Sequence, residues 1–256
     1  MNRPIGFFDS GIGGMSLLPA VEALLPQESI CYIADHAYSP YGDKPLDVVL
    51  NRAREITKKL IELDCKLIVL ACNTATTQII DQLRAEFPLS FVGIEPAIKP
   101  AALATKTGKV GLLATKGTLD SELFHQSVKD YGSGITIVKQ IGKGLVACVE
   151  EGKREDQQTR ILLESYLNPM ISEGIDTLVL GCTHYPFLIN TIEQILPSSV
   201  RVIDNSQAIA NQIKRMLEKE NNLAVKETEK QRYFYSTQKE NNLALFTSAP
   251  VEYLPL

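Results

Sequence analysis

Short apolar runs alternate with longer stretches of helical period along most of this 256-residue chain. Strands buried on both faces of a parallel sheet appear as continuous apolar runs, and the helices that cover them repeat apolar positions every three or four residues. The alternation therefore predicts an α/β protein with parallel sheets. The predicted strands are residues 5–8, 30–34, 67–71, 91–94, 110–114, 135–140, 177–181, 200–203 and 232–237.

The helical stretches place their apolar residues on one face, which predicts the side that packs against a sheet. A further amphipathic helix is predicted from residue 206 to about residue 220. In the first two helices with clear periodicity, the apolar face consists of Leu46, Val49, Leu50, Ala53, Ile56, Leu60 and Ile61, and of Ile79, Ile80 and Leu83.

The pattern restarts after the fourth predicted strand, near Pro96 and Pro100. The second half can be overlaid on the first, which indicates two similar α/β domains. The first two matches share an offset of 105 residues, and the third is the clearest of the three. The overlay sets residues 5–6 on 110–111, 30–33 on 135–138, and 67–74 on 177–184.

Each half places one cysteine directly after a buried strand, at Cys72 and at Cys182. Loops at the carboxyl ends of strands form the ligand crevice of open α/β sheets, so two facing halves would bring both thiols to one pocket. A predicted helix follows Cys72, and its free N–H groups favour a thiolate. His184 stands beside Cys182 and can share a proton with it. A single such cysteine is more often core filling, but two in matching places favour paired acid/base chemistry.

The remaining three of the five cysteines, Cys31, Cys65 and Cys148, lie in or beside apolar segments and are interpreted as core residues. The odd number and the absence of CxxC spacing argue against a disulfide framework and against a four-cysteine zinc site. Reduced thiols are therefore expected, and we expect no metal site.

Charge and hydropathy exclude several classes of partner. The net charge is −4, and no block of Lys and Arg offers a footprint for nucleic acid. No apolar run approaches the roughly 18 residues of a membrane-spanning helix. The first predicted strand begins so early that no leader segment fits before it. We expect a soluble, cytoplasmic protein with no nucleic-acid or membrane partner.

The segment 9–14, Asp-Ser-Gly-Ile-Gly-Gly, lies between the first strand and a helix. Its small residues let a ligand approach the backbone, and Asp9 could exchange protons. Gly11 and Gly13 also match part of the dinucleotide fingerprint, with Asp35 at the ribose-binding position, although Ser16 stands where the third glycine belongs. An NAD-dependent oxidoreductase is therefore one alternative, and a tight turn capped by Asp9 or Ser10 is another.

Other polar residues follow predicted strands without a clear motif of their own. Hydroxyl groups such as those of Thr115 and Thr118 hold a carboxylate or cap a helix, and capping is the simpler interpretation of Thr118. Glu150 and Glu151 are interpreted as a solvated charge pair. His36 and His125 lie in no motif.

Six motifs, taken together and in order, are similar to those of a known family. They are IGFFDSGIGG at residues 5–14, SPYG at 39–42, ACNTA at 71–75, GIEPA at 93–97, LAT at 113–115 with Thr118, and LGCTHYP at 180–186. The chain resembles the bacterial glutamate racemases of the aspartate/glutamate racemase superfamily. The resemblance implies two α/β domains related by pseudo-twofold symmetry, with the active site between them. It implies a first domain of residues 1–98 plus 205–256 and a second of residues 99–204.

The resemblance also implies roles for individual residues. Cys72 and Cys182 form the catalytic acid/base pair, with Asp9 assisting the first and Glu150 and His184 assisting the second. It implies a cofactor-independent enzyme, a homodimer, and D-glutamate production for peptidoglycan. The residues implied to bind glutamate are Asp9, Ser10, Pro40, Tyr41, Gly42, Cys72, Asn73, Thr74, Thr118, Cys182, Thr183 and His184.

Two rivals to this function stay open besides the oxidoreductase. An aspartate or hydantoin racemase would keep both cysteines, although Thr183-His184-Tyr185 after the second cysteine favours glutamate. Paired α/β domains also make solute receptors, but the expected absence of an export signal counts against a binding module.

Overall fold

The computed structural model describes residues 3–225 and 229–256. Residues 1, 2 and 226–228 of the predicted first domain lie outside the described residues. Nine of the strands fall where the apolar runs predict them, and one further strand lies near the end of the chain. The strands are β1 (Ile5–Asp9), β2 (Ile30–Ala34), β3 (Leu67–Leu70), β4 (Phe91–Gly93), β5 (Lys109–Ala114), β6 (Thr136–Ile141), β7 (Thr177–Gly181), β8 (Arg201–Ile203), β9 (Arg232–Ser236) and β10 (Val251–Tyr253).

Helices connect most successive strands, as parallel pairing requires. None of those described is long and apolar enough to cross a membrane. The α-helices are α1 (Leu18–Leu24), α2 (Leu46–Glu62), α3 (Asn73–Glu86), α4 (Ile98–Ala104), α5 (Lys116–Leu119), α6 (Glu122–Tyr131), α7 (Leu145–Glu150), α8 (Gln157–Ser172), α9 (Ile189–Ile195) and α10 (Ser206–Lys219). Short 3-10 turns cover Gly13–Leu17, His36–Tyr38, Tyr41–Asp43, Tyr185–Leu188 and Leu243–Leu245.

The strands form two sheets in which every described pair is parallel. The first sheet has the order β10-β9-β2-β1-β3-β4, and the second has the order β6-β5-β7-β8. The two orders share the series second, first, third, fourth strand of each half. This confirms the predicted fold class of two similar parallel-sheet α/β domains. The domain boundaries and the pseudo-twofold axis stay predictions.

Strand register corrects one part of the sequence overlay. Ile5 pairs with Ile30 in the first sheet, whereas its counterpart Val110 pairs with Ile137 in the second. Ile30 therefore corresponds to Ile137 and not to Ile135, so the offset of 105 is wrong for this strand by two residues. A shift of two keeps every side chain on the same face of the sheet, which is why the apolar pattern did not reveal it. The overlay of residues 67–74 on 177–184 agrees with the register.

Helices cover both faces of the first sheet. Side chains of α2 and α3 pack with Phe8 and Ile33 on one face, while α1 and α10 pack with Phe7 and Tyr32 on the other. Most of the predicted face of α2 is buried, but Leu46 and Ile61 at its ends are 50% and 40% exposed. The predicted burial of these two residues is therefore wrong.

A buried ion pair ties the segment after α10 to the start of the first sheet. Lys66 Nζ lies 2.6 Å from Glu28 Oε2, and the two side chains are 3% and 2% exposed. Lys66 also donates to the carbonyl of Asn222, and Glu28 accepts a hydrogen bond from the backbone N–H of Ala224. Because both side chains are buried, water cannot solvate either charge if its partner is removed.

We predict that Lys66→Met lowers the free energy of unfolding by about 3–5 kcal/mol, because it leaves the Glu28 carboxylate buried without a counterion. The matched control is Lys58→Met, which removes an exposed lysine paired with Glu55 and should cost less than about 1 kcal/mol. Urea unfolding of both variants measures the difference. Equal losses in the two variants would contradict this account of the pair.

Candidate active site

Both candidate cysteines lie at the carboxyl ends of central strands. Cys72 follows β3 and occupies the N-cap position of α3. Cys182 follows β7 and precedes the turn Tyr185–Leu188. Each is only 6% exposed. The two thiols thus occupy equivalent places in the two halves, at the edges where ligand crevices form in parallel sheets.

Asp9, at the end of β1, joins the two halves from a fully buried position. Its Oδ1 accepts a hydrogen bond from the backbone N–H of Gly11 at 2.8 Å, and its Oδ2 accepts one from Thr183 Oγ1 at 3.1 Å. Burial raises the pKa of this carboxyl to about 6, although His184 and the Gly11 N–H act in the opposite direction. A carboxyl with a pKa in that range is suited to proton transfer near neutral pH.

The glycines after Asp9 allow the second half to approach closely. A Cβ atom on Gly11 would lie 1.8 Å from Glu150 Oε1, and one on Gly13 would lie 2.4 Å from His184 Nδ1. Two side chains of the second half therefore occupy the space above both glycines, where the dinucleotide interpretation would place a pyrophosphate.

Asp35, which the dinucleotide interpretation assigns to a ribose, already has hydrogen-bond partners within the protein. Asp35 is fully buried and accepts two hydrogen bonds from Arg52, at 2.8 and 3.0 Å. Tyr41 and Thr237 donate to the same carboxylate at 2.5 and 2.8 Å. The assignment of Asp35 to a ribose is therefore wrong, because all of its strong acceptor positions are used to fix the loop after β2.

Glu150, at the end of α7, contacts both halves. Its Oε1 accepts hydrogen bonds from the Ile12 N–H at 2.9 Å and from His184 Nε2 at 2.6 Å. Its Oε2 lies 3.2 Å from His36 Nε2. Burial opposes ionisation, but the contacts with His184 and His36 outweigh it and lower the pKa to about 2. The interpretation of Glu150 as a solvated charge is wrong; it fits only Glu151, which is exposed and pairs with Lys153.

His184 connects Glu150 to Cys182. Its Nδ1 lies 3.8 Å from Cys182 Sγ, and its Nε2 donates to Glu150. Since the Nε2 proton is committed to the carboxylate, Nδ1 is the position that exchanges a proton with the sulfur. Burial alone would lower the His184 pKa, yet the contacts with Cys182 and Glu150 raise it well above its usual value. An imidazolium in this place stabilises negative charge on Cys182.

Cys72 lies in an environment of the opposite kind. Burial, followed by the negative charge of Asp9 and that of Cys182, raises the pKa of this thiol to about 12. The backbone N–H of Ala75 and the Ser10 hydroxyl, 3.8 Å from the sulfur, oppose the rise. The N-terminus of α3 favours a thiolate at Cys72, as the sequence indicates, but burial outweighs the helix end in this structure.

Hydroxyl and amide groups surround the two cysteines. Thr74 Oγ1 lies 2.8 Å from Thr115 Oγ1, which in turn donates to Thr118 Oγ1 at 2.9 Å, so a chain of three threonines crosses between the halves. Thr115 is the residue that caps α5, and it accepts from the Thr118 N–H. Asn73 donates to the carbonyl of Ile94. Ser10, Asn73, Thr74, Thr118 and Thr183 are each at most 5% exposed.

The predicted loop of Pro40, Tyr41 and Gly42 lies at the rim of the site. The Tyr41 hydroxyl is held by Asp35, and a Cβ on Gly42 would lie 3.1 Å from Thr115 Cβ. Pro40 is exposed and lines a cavity of about 280 Å³ together with His36 and Glu150. Glu150 is the member of the Glu150–His184 pair that lines this cavity. Within residues 3–225 and 229–256, no group of three or more His, Cys, Asp or Glu side chains is arranged to hold a metal ion.

Three further contacts at the site were not predicted from the sequence. Tyr32 donates to the Gly11 carbonyl at 2.8 Å, Ser16 donates to the Thr183 carbonyl at 3.0 Å, and His36 approaches Glu150. Each joins residues far apart in the chain, so local patterns carry no signal for them. Of these residues, only His36 could have been suggested as a site residue from its position, since it follows β2 at the carboxyl edge of the first sheet.

Comparison with known proteins gives a consistent result. The sequence profile described as Asp/Glu/Hydantoin racemase matches residues 17–213. A glutamate racemase of Ectopseudomonas mendocina is 44% identical over 234 residues, which cover 91% of this chain and 89% of that protein. A crystal structure of a glutamate racemase isoform from Bacillus anthracis has a TM-score of 0.86 at 28% identity and covers 99% of this chain and 98% of that chain.

A second solved structure is that of a glutamate racemase from Francisella tularensis in complex with D-glutamate. It has a TM-score of 0.85 at 27% identity, and the match covers 99% of this chain and 97% of that chain. The profile match and the identity over nearly the whole length agree with the two parallel sheets described above. The chain is a racemase, an isomerase, and belongs to the Asp/Glu/Hydantoin racemase family.

Proposed function

We propose that this chain interconverts L-glutamate and D-glutamate with Cys72 and Cys182 as acid and base on opposite faces of the substrate. The observation that carries the proposal is the contrast between two cysteines in equivalent positions. Burial and the charge of Asp9 raise the pKa of the Cys72 thiol, whereas Cys182 Sγ lies 3.8 Å from His184 Nδ1, a group that can take and return its proton. The names of the relatives, and a neighbouring structure that contains D-glutamate, support glutamate as the substrate.

Racemisation requires that the Cα proton leave one face and that a proton return to the other. With L-glutamate, the Cys182 thiolate removes the Cα proton, and the electron pair remains on the substrate as a carbanion. Cys72 then gives its thiol proton to the opposite face and becomes a thiolate. The reverse reaction exchanges the two roles. Two fixed groups perform this inversion without moving the substrate, which is an advantage of orientation.

The Cα proton is far less acidic than a thiol, so the site must reduce the difference between their two pKa values. Exclusion of water strengthens every charge interaction with the developing carbanion. Donors placed where charge builds up on the substrate carboxylate lower the barrier further. Ser10, Asn73, Thr74, Thr118 and Thr183 are the buried polar residues that we assign to substrate binding, with the backbone of the loop at Pro40, Tyr41 and Gly42 at the rim.

In the proposed role, the enzyme acts in the cytoplasm as a homodimer, and its reaction supplies D-glutamate for peptidoglycan. The direct test of the activity is a chiral assay with glutamate, aspartate and hydantoins as separate substrates and with no added cofactor. We expect turnover of glutamate in both directions. Turnover of aspartate or of a hydantoin in preference to glutamate would replace the proposed substrate, although the family would stay the same.

We predict that Cys72→Ser and Cys182→Ser each lower kcat by about 10²–10⁴-fold without unfolding the protein, because serine has nearly the same shape but is a much poorer acid and base near neutral pH. Cys148→Ser, at a half-buried cysteine outside the site, is the matched control and should keep full activity. Circular dichroism checks the fold. Full activity in either site variant would remove that residue from the mechanism.

We predict that Asp9→Asn lowers kcat more than it raises KM, since the proposed task of Asp9 is to handle the proton of Cys72. The rate of racemisation across a range of glutamate concentrations separates the two parameters. If only KM changed, Asp9 would be a binding group and would have no part in proton transfer.

The same substitution should stabilise the protein at pH 8. Burial raises the Asp9 pKa from 3.8 to about 6, so above pH 6 the folded state carries a carboxylate that is easier to form in the unfolded chain. The penalty, of the order of 2–3 kcal/mol, is fully present above the folded pKa and disappears as the pH falls below about 4. Asparagine avoids this penalty. Thermal unfolding of wild type and Asp9→Asn is measured from pH 8 to pH 4. The difference in their melting temperatures should shrink as the pH falls, and a difference that stays constant would contradict the raised pKa of Asp9.

A further inference from the structure

The Glu150 carboxylate lies between two histidines, one from each half of the chain. His184 of the second half contacts Oε1, and His36 of the first half lies 3.2 Å from Oε2. The His36 side chain is only 8% exposed. Behind the ring, Nδ1 lies 2.8 Å from Ser236 Oγ at the end of β9. A continuous series of contacts thus runs from Ser236 through His36, Glu150 and His184 to Cys182.

Ser236 and Glu150 contact opposite sides of the His36 ring. The Ser236 hydroxyl oxygen, 2.8 Å from Nδ1, also contacts the backbone of Gln238, so the ring is held against a fixed group of the first half. On the other side, the buried Nε2 lies 3.2 Å from Glu150 Oε2 without a well-aligned hydrogen bond. A proton on Nε2 makes this close contact with the carboxylate attractive, so the ring can hold the carboxylate in place.

Of the residues linked from Ser236 to Cys182, Glu150 has the most solvent-exposed side chain, so its position depends most on a partner such as His36. Its side chain is 17% exposed, against 2% for His184, and it lines the cavity of about 280 Å³ beside His36. Without His36, Oε2 would face this cavity, where water competes for the carboxylate. The carboxylate could then rotate away from His184, whose Nδ1 would no longer be fixed against the sulfur.

We propose that His36 is a positioning residue for the acid/base centre at Cys182, acting through Glu150. This inference rests on the proposed function. His36 does not touch the reacting atoms; it holds the carboxylate that orients His184. The centre at Cys182 therefore contains a residue from the first half of the chain, and it is complete only when the two halves are closed on each other.

The two enantiomers of glutamate have equal free energies, so kcat/KM must remain equal in the two directions in any variant. Damage at Cys182 alone is visible instead in isotope effects. Deuterium at Cα of L-glutamate is transferred to Cys182, and deuterium at Cα of D-glutamate is transferred to Cys72. If His36 assists only Cys182, its removal slows proton transfer between Cα and Cys182, and that step becomes more rate-limiting. The isotope effect on kcat/KM then rises with deuterated L-glutamate and falls with deuterated D-glutamate.

The experiment compares wild type with His36→Leu, which removes both ring nitrogens, and His36→Gln, which keeps one N–H donor near Glu150. His125→Gln is the matched control, since His125 is an exposed histidine on α6. We expect kcat/KM to fall about tenfold in His36→Leu and less in His36→Gln, with the opposed changes in isotope effect. Ser236→Ala should move both isotope effects in the same directions. The control should match wild type throughout.

Thermal unfolding of the same proteins separates positioning from a purely structural role. If wild type racemises glutamate and the His36 variants either match it or show the same change in both isotope effects, the positioning role is overturned and the proposed function stands. If wild type does not racemise glutamate, the proposed function fails and this inference fails with it. If His36→Leu does not fold, His36→Gln and Ser236→Ala decide the question by the same isotope effects.

Discussion

The structure depends on ionisable groups that are held away from water where the two sheets meet. Asp9, Glu150 and His184 are all largely buried; Asp9 and Glu150 each accept a hydrogen bond from the other half of the chain, and His184 is held by Glu150. Gly11 and Gly13 make this approach possible, because any side chain there would overlap Glu150 or His184. The same burial makes the surroundings of the two cysteines unequal: it raises the pKa of the Cys72 thiol, while Cys182 lies beside His184. The proposed reaction needs one thiol as acid and one thiolate as base when it starts from L-glutamate.

Much of the fold could be predicted from the sequence, because buried parallel strands are continuous apolar runs. The bounds of β2 and β7 were predicted to the residue, and the repeat indicated two similar α/β domains, although it did not give the strand order within each sheet. The register of β6 could not be predicted, since a slip of two residues leaves the pattern of faces unchanged. β10 was missed because a strand of three residues flanked by prolines carries too little pattern, and it is defined by its pairing with β9.

The site was predictable only where chemistry follows a strand directly, as at Asp9, Cys72 and Cys182. Local sequence indicated a solvated Glu150 and gave no role to His36, because their contacts join residues that are distant in the chain. The glycines of residues 9–14 suggested a nucleotide site, since sequence does not show whether a ligand or another side chain occupies the space above a glycine. The sequence indicated the helix end beside Cys72 but not the burial that raises the pKa of its thiol, since burial of a single atom is a tertiary property.

The central claim is that the proton leaves to one cysteine and returns from the other, and isotope exchange tests it most directly. L-glutamate is converted in heavy water, and the Cα isotope content of both enantiomers is measured at low conversion by chiral separation and mass spectrometry. The Cys72 thiol has exchanged with solvent before the reaction. The account predicts that D-glutamate carries deuterium at Cα from the first turnovers, while unreacted L-glutamate stays largely protiated. Substantial protium in the early D-glutamate would contradict it, because a single base would then have carried the proton across.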